Sequence, residues 1–266
     1  MKLVDIQNNK DERNIIIDKV GIADLRYPIV VMDRCKEKQQ TIAKFKLSVT
    51  LAHDFKGTHM SRFIEVLNEH RGEVTMHTIP VILRDIKARF NAERAHIEVQ
   101  FPYFLERAAP KSGAKALMDY NCTFIGEANG TDYDFIIGVQ IPVVSLCPCS
   151  KAISDYGAHN QRGYITIEVR TKRKDKGEME FVWIEELVEI GEQSASSPVY
   201  ALLKRPDERH VTMQVYDNPA FVEDVVRNVA SRLKRDSRIS WFKVHVENHE
   251  SIHNHNAFAM VEWNRS

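Results

Sequence analysis

CTFIGEANGTDYDFIIGVQIPVV, running from Cys122 to Val144, consists of two apolar runs, CTFIGEA and DFIIGVQIPVV, around the segment NGTDY. Asn129-Gly130 suits a tight turn, because both residues accept positive φ at little steric cost and the twist of such a turn matches that of paired strands. The stretch therefore predicts an antiparallel hairpin. Towards the N-terminus, AHIEVQFPYF reads as a further strand. It is preceded by IPVILRDIKARFN, with Ile79, Leu83, Ile86 and Phe90 on one helical face. Before that, GTHMSRFIEVLNEH sets Met60, Phe63, Ile64 and Leu67 at helical spacing, after the strand-like AKFKLSVTLAH. Towards the C-terminus, GYITIEVRT alternates Ile165, Ile167 and Val169 with other residues, and VWIEELVEIGEQS is helical. DNPAFVEDVVRNVASRLKRD predicts a longer helix with Asn218 as N-cap, Pro219 in the first position and Phe221, Val225, Val229 and Leu233 as its buried stripe. SWFKVHVEN and AFAMVEW close the chain as alternating strands, with Phe258 and Met260 read as core. Strands, two helices and strands are thus performed twice, which predicts an α+β protein with an internal duplication.

A chain of 266 residues, 43% hydrophobic and 28% charged, is long enough to bury a core without disulfides. Lys+Arg and Asp+Glu are both 37, so the total charge favours neither nucleic acid nor an acidic membrane surface. No apolar run reaches membrane-spanning length, and the start MKLVDIQNNKDERN lacks the layout of a signal peptide. The four cysteines, Cys35, Cys122, Cys147 and Cys149, are irregularly spaced. A soluble protein of the reducing cytoplasm, with thiols free or metal-bound, is the expectation.

SLCPCSKAISDYGAHNQRG, from Ser145 to Gly163, holds two of those cysteines with a single proline between them. That spacing is too short for a zinc knuckle or a thioredoxin-like pair. Cys147 and His159 fit half of a mixed metal site, and they fit equally a turn in which the cysteines are small buried hydrophobes. In HVENHESIHNHNAF, Glu250 and His253 lie three apart beside His249 and His255, and imidazole and carboxylate are ligands for zinc, manganese or iron. YALLKRPDERH, with Lys204, Arg205, Asp207, Glu208 and Arg209, reads as a solvated loop. Glu223 and Asp224 open a helix, where acids favour the helix dipole. A carboxylate there is also the group that matches the two parallel N–H donors on the edge of guanine.

The chain resembles the GTP cyclohydrolase IB family from end to end. The resemblance is carried by DIQNNKDERNIIIDKVGI, LRYPI, GTHMSRF, SLCPCSKAISDYGAHNQRG, YALLKRPDE, DNPAFVEDVVR and ESIHNHNAFA. It implies an α+β tunnelling fold (T-fold) of two tandem modules, each an antiparallel four-stranded sheet backed by two helices. Residues 1–30 would form an N-terminal arm, 31–130 the first module and 131–266 the second, with most of the metal site. It also implies a homotetramer with sites at subunit interfaces. The implied reaction turns GTP and water into 7,8-dihydroneopterin triphosphate and formate, the first step of tetrahydrofolate biosynthesis.

Residue by residue, the resemblance makes Cys147 the metal-binding and catalytic cysteine and His159 its catalytic companion. Glu208, Glu250 and His253 complete a site for a divalent ion (zinc, manganese or iron), and Glu223 anchors the guanine. Lys56, Arg62, Lys151, Arg162, Lys204 and Arg205 flank the matched motifs and are candidates for the triphosphate, with His59 and Ser61 as hydrogen-bonding partners. The alternatives are an archaeal-type cyclohydrolase giving a cyclic phosphate, a deazaguanine nitrile reductase, and a non-catalytic purine- or pterin-binding protein.

Overall fold

Gly130 adopts φ of 53°, and the chain turns at Gly130-Thr131 between β4 (Lys115–Asn129) and β5 (Asp132–Leu146), with Asn129 closing β4 rather than taking a positive φ. The computed structural model describes residues 7, 9–70, 73–173 and 179–265. Upstream of the hairpin lie β1 (Ile17–Asp33), β2 (Glu37–Leu51), α1 (Ser61–Glu69), α2 (Ile79–Phe90) and β3 (Arg94–Ala108). Downstream come α3 (Pro148–Ile153), β6 (Asn160–Thr171), α4 (Ile184–Glu192), β7 (Ser197–Pro198), α5 (Arg205–Asp217), α6 (Val222–Arg235), β8 (Ile239–His249) and β9 (Ala257–Asn264).

The expected tunnelling-fold arrangement, two tandem modules each with its own four-stranded sheet backed by two helices, is corrected. Among the described residues, the strands join in one nine-stranded sheet of order β1-β2-β3-β4-β5-β6-β8-β9, with β7 paired to β5, and six helices accompany it. The physical reason is the hairpin itself. Because β4 and β5 are sheet neighbours, the hydrogen-bond ladder does not stop between the two repeats. Strand β5 runs antiparallel to β6 from Ile137↔Val169 to Leu146↔Asn160, and β6 antiparallel to β8.

The chain divides into two units, Met1–Pro102 with Thr123–Ile136, and Tyr103–Cys122 with Ile137–Ser266. In the first, Phe63, Val66 and Leu67 of α1 and Ile79, Ile82, Leu83 and Ile86 of α2 are buried, as are Phe45, Leu47, Ile97 and Val99 of the sheet. A Cβ at Gly126 would lie 2.6 Å from Ile79 and 2.9 Å from Ile97, so only glycine lets β4 pass this close to α2. Ahead of β1, Lys56 N donates to Asn9 O and Gly57 N to Gln7 O, tying these residues to the segment after β2.

In the second unit, Leu187 and Val188 of α4 and Val225, Val229 and Leu233 of α6 are buried, together with Ile141, Val143, Ile165, Val244 and Val246 of the strands. Three local expectations change here. The long helix starts at Val222, because Asp224 reaches back to accept from Phe221 N (3.1 Å), whereas Asn218 caps the C-terminus of α5. Phe221 is therefore an exposed cap residue and not part of the stripe. YALLKRPDERH is a loop only as far as Lys204, since Arg205 begins α5 with Pro206 in its first turn. Phe258 and Met260 face outward, 70% and 53% exposed, while Val261 and Trp263 take the half-buried face of β9.

Candidate active site

Cys147 closes β5, and its backbone N donates to His159 O at 3.2 Å, so the two residues stay level although twelve positions separate them. The excursion between them is pinned at its start. Pro148 fixes the first turn of α3, Ser150 N donates to the Cys147 sulfur (3.4 Å), and His159 N donates to Ser150 Oγ (3.0 Å). Strand β8 brings up the C-terminal group. Its register, Arg162↔His249, sets Gln161 level with Glu250.

His159 Nδ1 and Glu250 Oε2 stand 3.9 Å apart, with their side chains 13% and 11% exposed. That gap is too long for a hydrogen bond, and Nδ1 is buried with no hydrogen-bond partner among the described residues. The His253 ring meets His159 edge-on, with centroids 6.5 Å apart, and stacks on His255 at 5.1 Å. His159, Glu250 and His253 thus converge, and Cys147 adjoins them through the backbone. Among the described residues, no three His, Cys, Asp or Glu side chains stand close enough to cage an ion as they are. Sulfur, imidazole nitrogen and carboxylate oxygen nonetheless make a donor set suited to zinc, manganese or iron, and the orphaned Nδ1 is the kind of buried nitrogen such an ion would satisfy.

Glu208 is exposed on the first turn of α5 and makes no hydrogen bond or ion pair with the other four candidates among the described residues. Its neighbour fixes that turn. The buried Asp207 accepts from Lys111 N, Ser112 N and Lys204 N, each at 2.8 Å, and from Ser112 Oγ at 2.6 Å. Burial alone would raise the Asp207 carboxyl, but these hydrogen bonds outweigh it and hold the group well below the usual carboxylate range. A depressed folded-state value means that the stabilisation is present above the unfolded carboxyl's value, about 3.9, and is lost as pH falls through the folded one. Asp207→Asn should therefore lower the urea midpoint near neutrality and lose less stability than the parent between about pH 5 and pH 3. Urea unfolding at the two pH values checks this, and equal acid losses would contradict it.

Glu223 is exposed in the first turn of α6. The helix is moored close to Cys147, since Ala220 N donates to Leu146 O (3.1 Å) and the Asn218 amide donates to Ala195 O (3.1 Å). Lys151 donates to Tyr216 O and lies 4.2 Å above the Tyr216 ring. Lys204 precedes α5 as its N-cap, and Lys204, Arg205 and Arg162 are exposed. His59, Arg62 and Lys56 belong to the first unit. There His59 and Arg62 line a cavity of about 360 Å³ with Phe55, Thr58 and Arg89, while Lys56 is exposed beside it in sequence.

Asp207, expected in a solvated loop, had a signal for its buried capping role: a proline followed by two acids is the opening of a helix. Sequence reasoning passed over Ser145, Gln161 and Asn248, polar residues that turn out to be buried beside the site.

The family model described as type I GTP cyclohydrolase folE2 (GCHY-1) matches residues 3–259. The GTP cyclohydrolase FolE2 of Syntrophus aciditrophicus is 54% identical over 260 residues, covering 98% of this chain and 99% of that protein. Those of Syntrophotalea carbinolica and Nitrosococcus oceani are each 52% identical, covering 97% of this chain and 94% of theirs. Among solved structures, uricase from Arthrobacter globiformis superposes with a TM-score of 0.53 at 10% identity, covering 93% of both chains. Urate oxidase from Bacillus subtilis does so with 0.53 at 8% identity, covering 93% and 98%. At that identity the likeness concerns the fold alone, and it is to these structures, not to the pair of four-stranded modules expected.

Proposed function

We propose, from the premise that this chain belongs to the type I GTP cyclohydrolase family FolE2, a division of labour among its site residues. The protein is a GTP cyclohydrolase of folate biosynthesis. In our reading it consumes GTP and one water and releases 7,8-dihydroneopterin triphosphate and formate, the type I reaction of the IB class. Family membership over nearly the whole chain disfavours the nitrile reductase and the non-catalytic binding protein. The observation that carries the site assignment is the buried Nδ1 of His159, without a hydrogen-bond partner among the described residues, facing Glu250 beside Cys147.

Cys147, His159, Glu250 and His253 would hold a divalent ion, with Glu208 reaching in from α5. Such an ion supplies Lewis-acid activation of water, whose pKa it draws down towards about 7. The remaining work falls to the chain. Carbon 8 of a neutral purine is a poor electrophile, and His159 can give a proton to N7 as the ring opens, histidine being the side chain that exchanges protons near neutral pH. Glu223 accepts from the N1–H and 2-amino group of guanine and sets the position of carbon 8. Lys151, Arg162, Lys204 and Arg205 supply positive charge and donors to the triphosphate.

The sites are proposed to lie at the interfaces of a homotetramer. Both ends of the sheet support association, because β1 and β9 are edge strands and expose Ile17, Phe258 and Met260. A cytoplasmic location is in keeping with all four cysteines being free thiols. Light scattering on the purified protein tests the assembly. Glu208→Ala tests the fifth ligand: it should weaken metal retention by about 10- to 100-fold in chelator competition while the fold is kept, Glu208 being exposed. Unchanged retention would remove Glu208 from the ligand set.

A further inference from the structure

Three neighbouring strands change character on the same face as they approach the site. On β5 the inward positions run Ile141, Val143, Ser145 and then Cys147; on β6, read backwards, Ile165, Gly163, Gln161 and then His159; on β8, Val246, Asn248 and then Glu250. The apolar core face thus becomes polar one step before the candidate ligands. Ser145, Gln161 and Asn248 are 0%, 6% and 2% exposed. Ser145 Oγ, Gln161 Oε1 and Asn248 Oδ1 are all buried without a hydrogen-bond partner among the described residues. Register links them. Ser145 pairs directly with Gln161, Gln161 is level with Glu250, and Asn248 pairs with Gly163. Asn248 Oδ1 leans over Gly163, where a Cβ would meet it at 2.7 Å and meet Val143 at 3.1 Å. Glycine at this position leaves room for the amide to reach the shelf.

Buried polar oxygens are rarely left unpaired in native proteins, so a row of three calls for an account. Stability alone is a poor one, because apolar residues of similar shape would fill the face without the cost of unpaired acceptors. Three acceptors within one small region are the partners that a buried water recruits, at two to four per molecule. We infer that Ser145, Gln161 and Asn248 form a water-holding shelf under the His159–Glu250 pair, with Gln161 as the positioning residue that keeps imidazole and carboxylate aimed at a divalent ion. Water is the ligand of the shelf, which lies too deep for a nucleotide. The role is that of outer hydrogen-bond partners in metal sites, which orient the ligands without touching the metal. The inference rests on the metal-site reading given above.

The test uses the full-length protein stripped of metal and titrated with Co²⁺, whose affinity is read by chelator competition and whose ligand geometry is read from its visible spectrum. Gln161→Leu keeps the bulk and deletes the oxygen. It should leave the melting temperature of the metal-free protein unchanged or raised, weaken Co²⁺ binding about 10- to 100-fold, alter the cobalt spectrum, and lower kcat with little change in KM for GTP. Ser145→Ala, the gentlest deletion, should shift Co²⁺ affinity in the same direction by more than about twofold and decides the matter if Gln161→Leu does not fold. Parental affinity, spectrum and kcat in the variants would overturn the shelf while leaving the metal site standing. A parent protein that binds no Co²⁺ would overturn the metal site and the shelf together.

Discussion

Cys147→Ala protein is expected to turn over GTP at least about 10³-fold more slowly than the parent, because the loss of one ligand forfeits several kcal/mol of transition-state stabilisation and each 1.4 kcal/mol is tenfold in rate. The fold should survive. Cys147 is only half-buried, and its sulfur accepts a single hydrogen bond, from Ser150 N. Cys147→Ser separates the two duties of the side chain. A serine hydroxyl caps a helix as well as a thiol does, yet it stays protonated near neutrality and is a poor ligand for zinc. The serine variant should therefore melt with the parent and fail with the alanine variant. Formate release and bound metal, measured on both variants, check this. A serine variant with parental turnover would reduce Cys147 to a capping residue of α3.

Glu223→Ala should produce the second large effect, a loss of about 10²- to 10⁴-fold in kcat/KM for GTP, carried mainly by KM. Two hydrogen bonds to an ionised carboxylate contribute about 1.5–3 kcal/mol each, and they are made to the guanine throughout the reaction. The cost to the fold is small, because Glu223 is exposed and helps α6 only by lying near the positive end of its dipole, worth about 0.3–1 kcal/mol. A specific readout distinguishes anchoring from general damage. Inosine triphosphate lacks the 2-amino group, so the parent should prefer GTP strongly, and the variant should lose most of that preference. Steady-state kinetics with the two nucleotides measures it. A variant that keeps the parental ratio would show that another group reads the base.

Local features of the fold were legible in the sequence wherever a short-range rule governs them. Gly130 turns the hairpin, the apolar spacing in α1 and α2 puts Phe63, Leu67, Ile79, Leu83 and Ile86 inside, and β6 alternates as expected. What failed was competition between signals of similar strength. Asn218-Pro219 looks like a helix start, but Asp224 can cap Phe221 from inside the helix, and that contact sets the boundary. The charges of Lys204 to Arg209 suggested solvent and masked the helix-opening order of Pro206, Asp207 and Glu208. The alternation of β9 was right in period, and which face is buried was not readable, because both faces carry large apolar residues, Phe258 and Met260 on one and Val261 and Trp263 on the other. Sheet continuity was missed for another reason. Whether two repeats build two sheets or one turns here on the β4–β5 hairpin, whose turn was legible but which fell on the boundary between the two expected modules and so was not read as the ladder that joins them.

The candidate site divides in the same way. Cys147, His159, Glu250 and His253 were visible because their side chains carry metal chemistry wherever they occur. Ser145, Gln161 and Asn248 were not, because in an alternating strand a polar residue reads as outward-facing, and only the register reveals that these three continue the buried face.

The central claim, metal-dependent opening of GTP, meets its most direct test in metal-stripped protein supplied with GTP and with zinc, manganese or iron added back. Formate would be followed with time and the pterin identified by mass. Little formate from the stripped protein, with its return together with 7,8-dihydroneopterin triphosphate on addition of at least one ion, is the predicted result; formate released at full rate without metal, or none with any of the three, would contradict it.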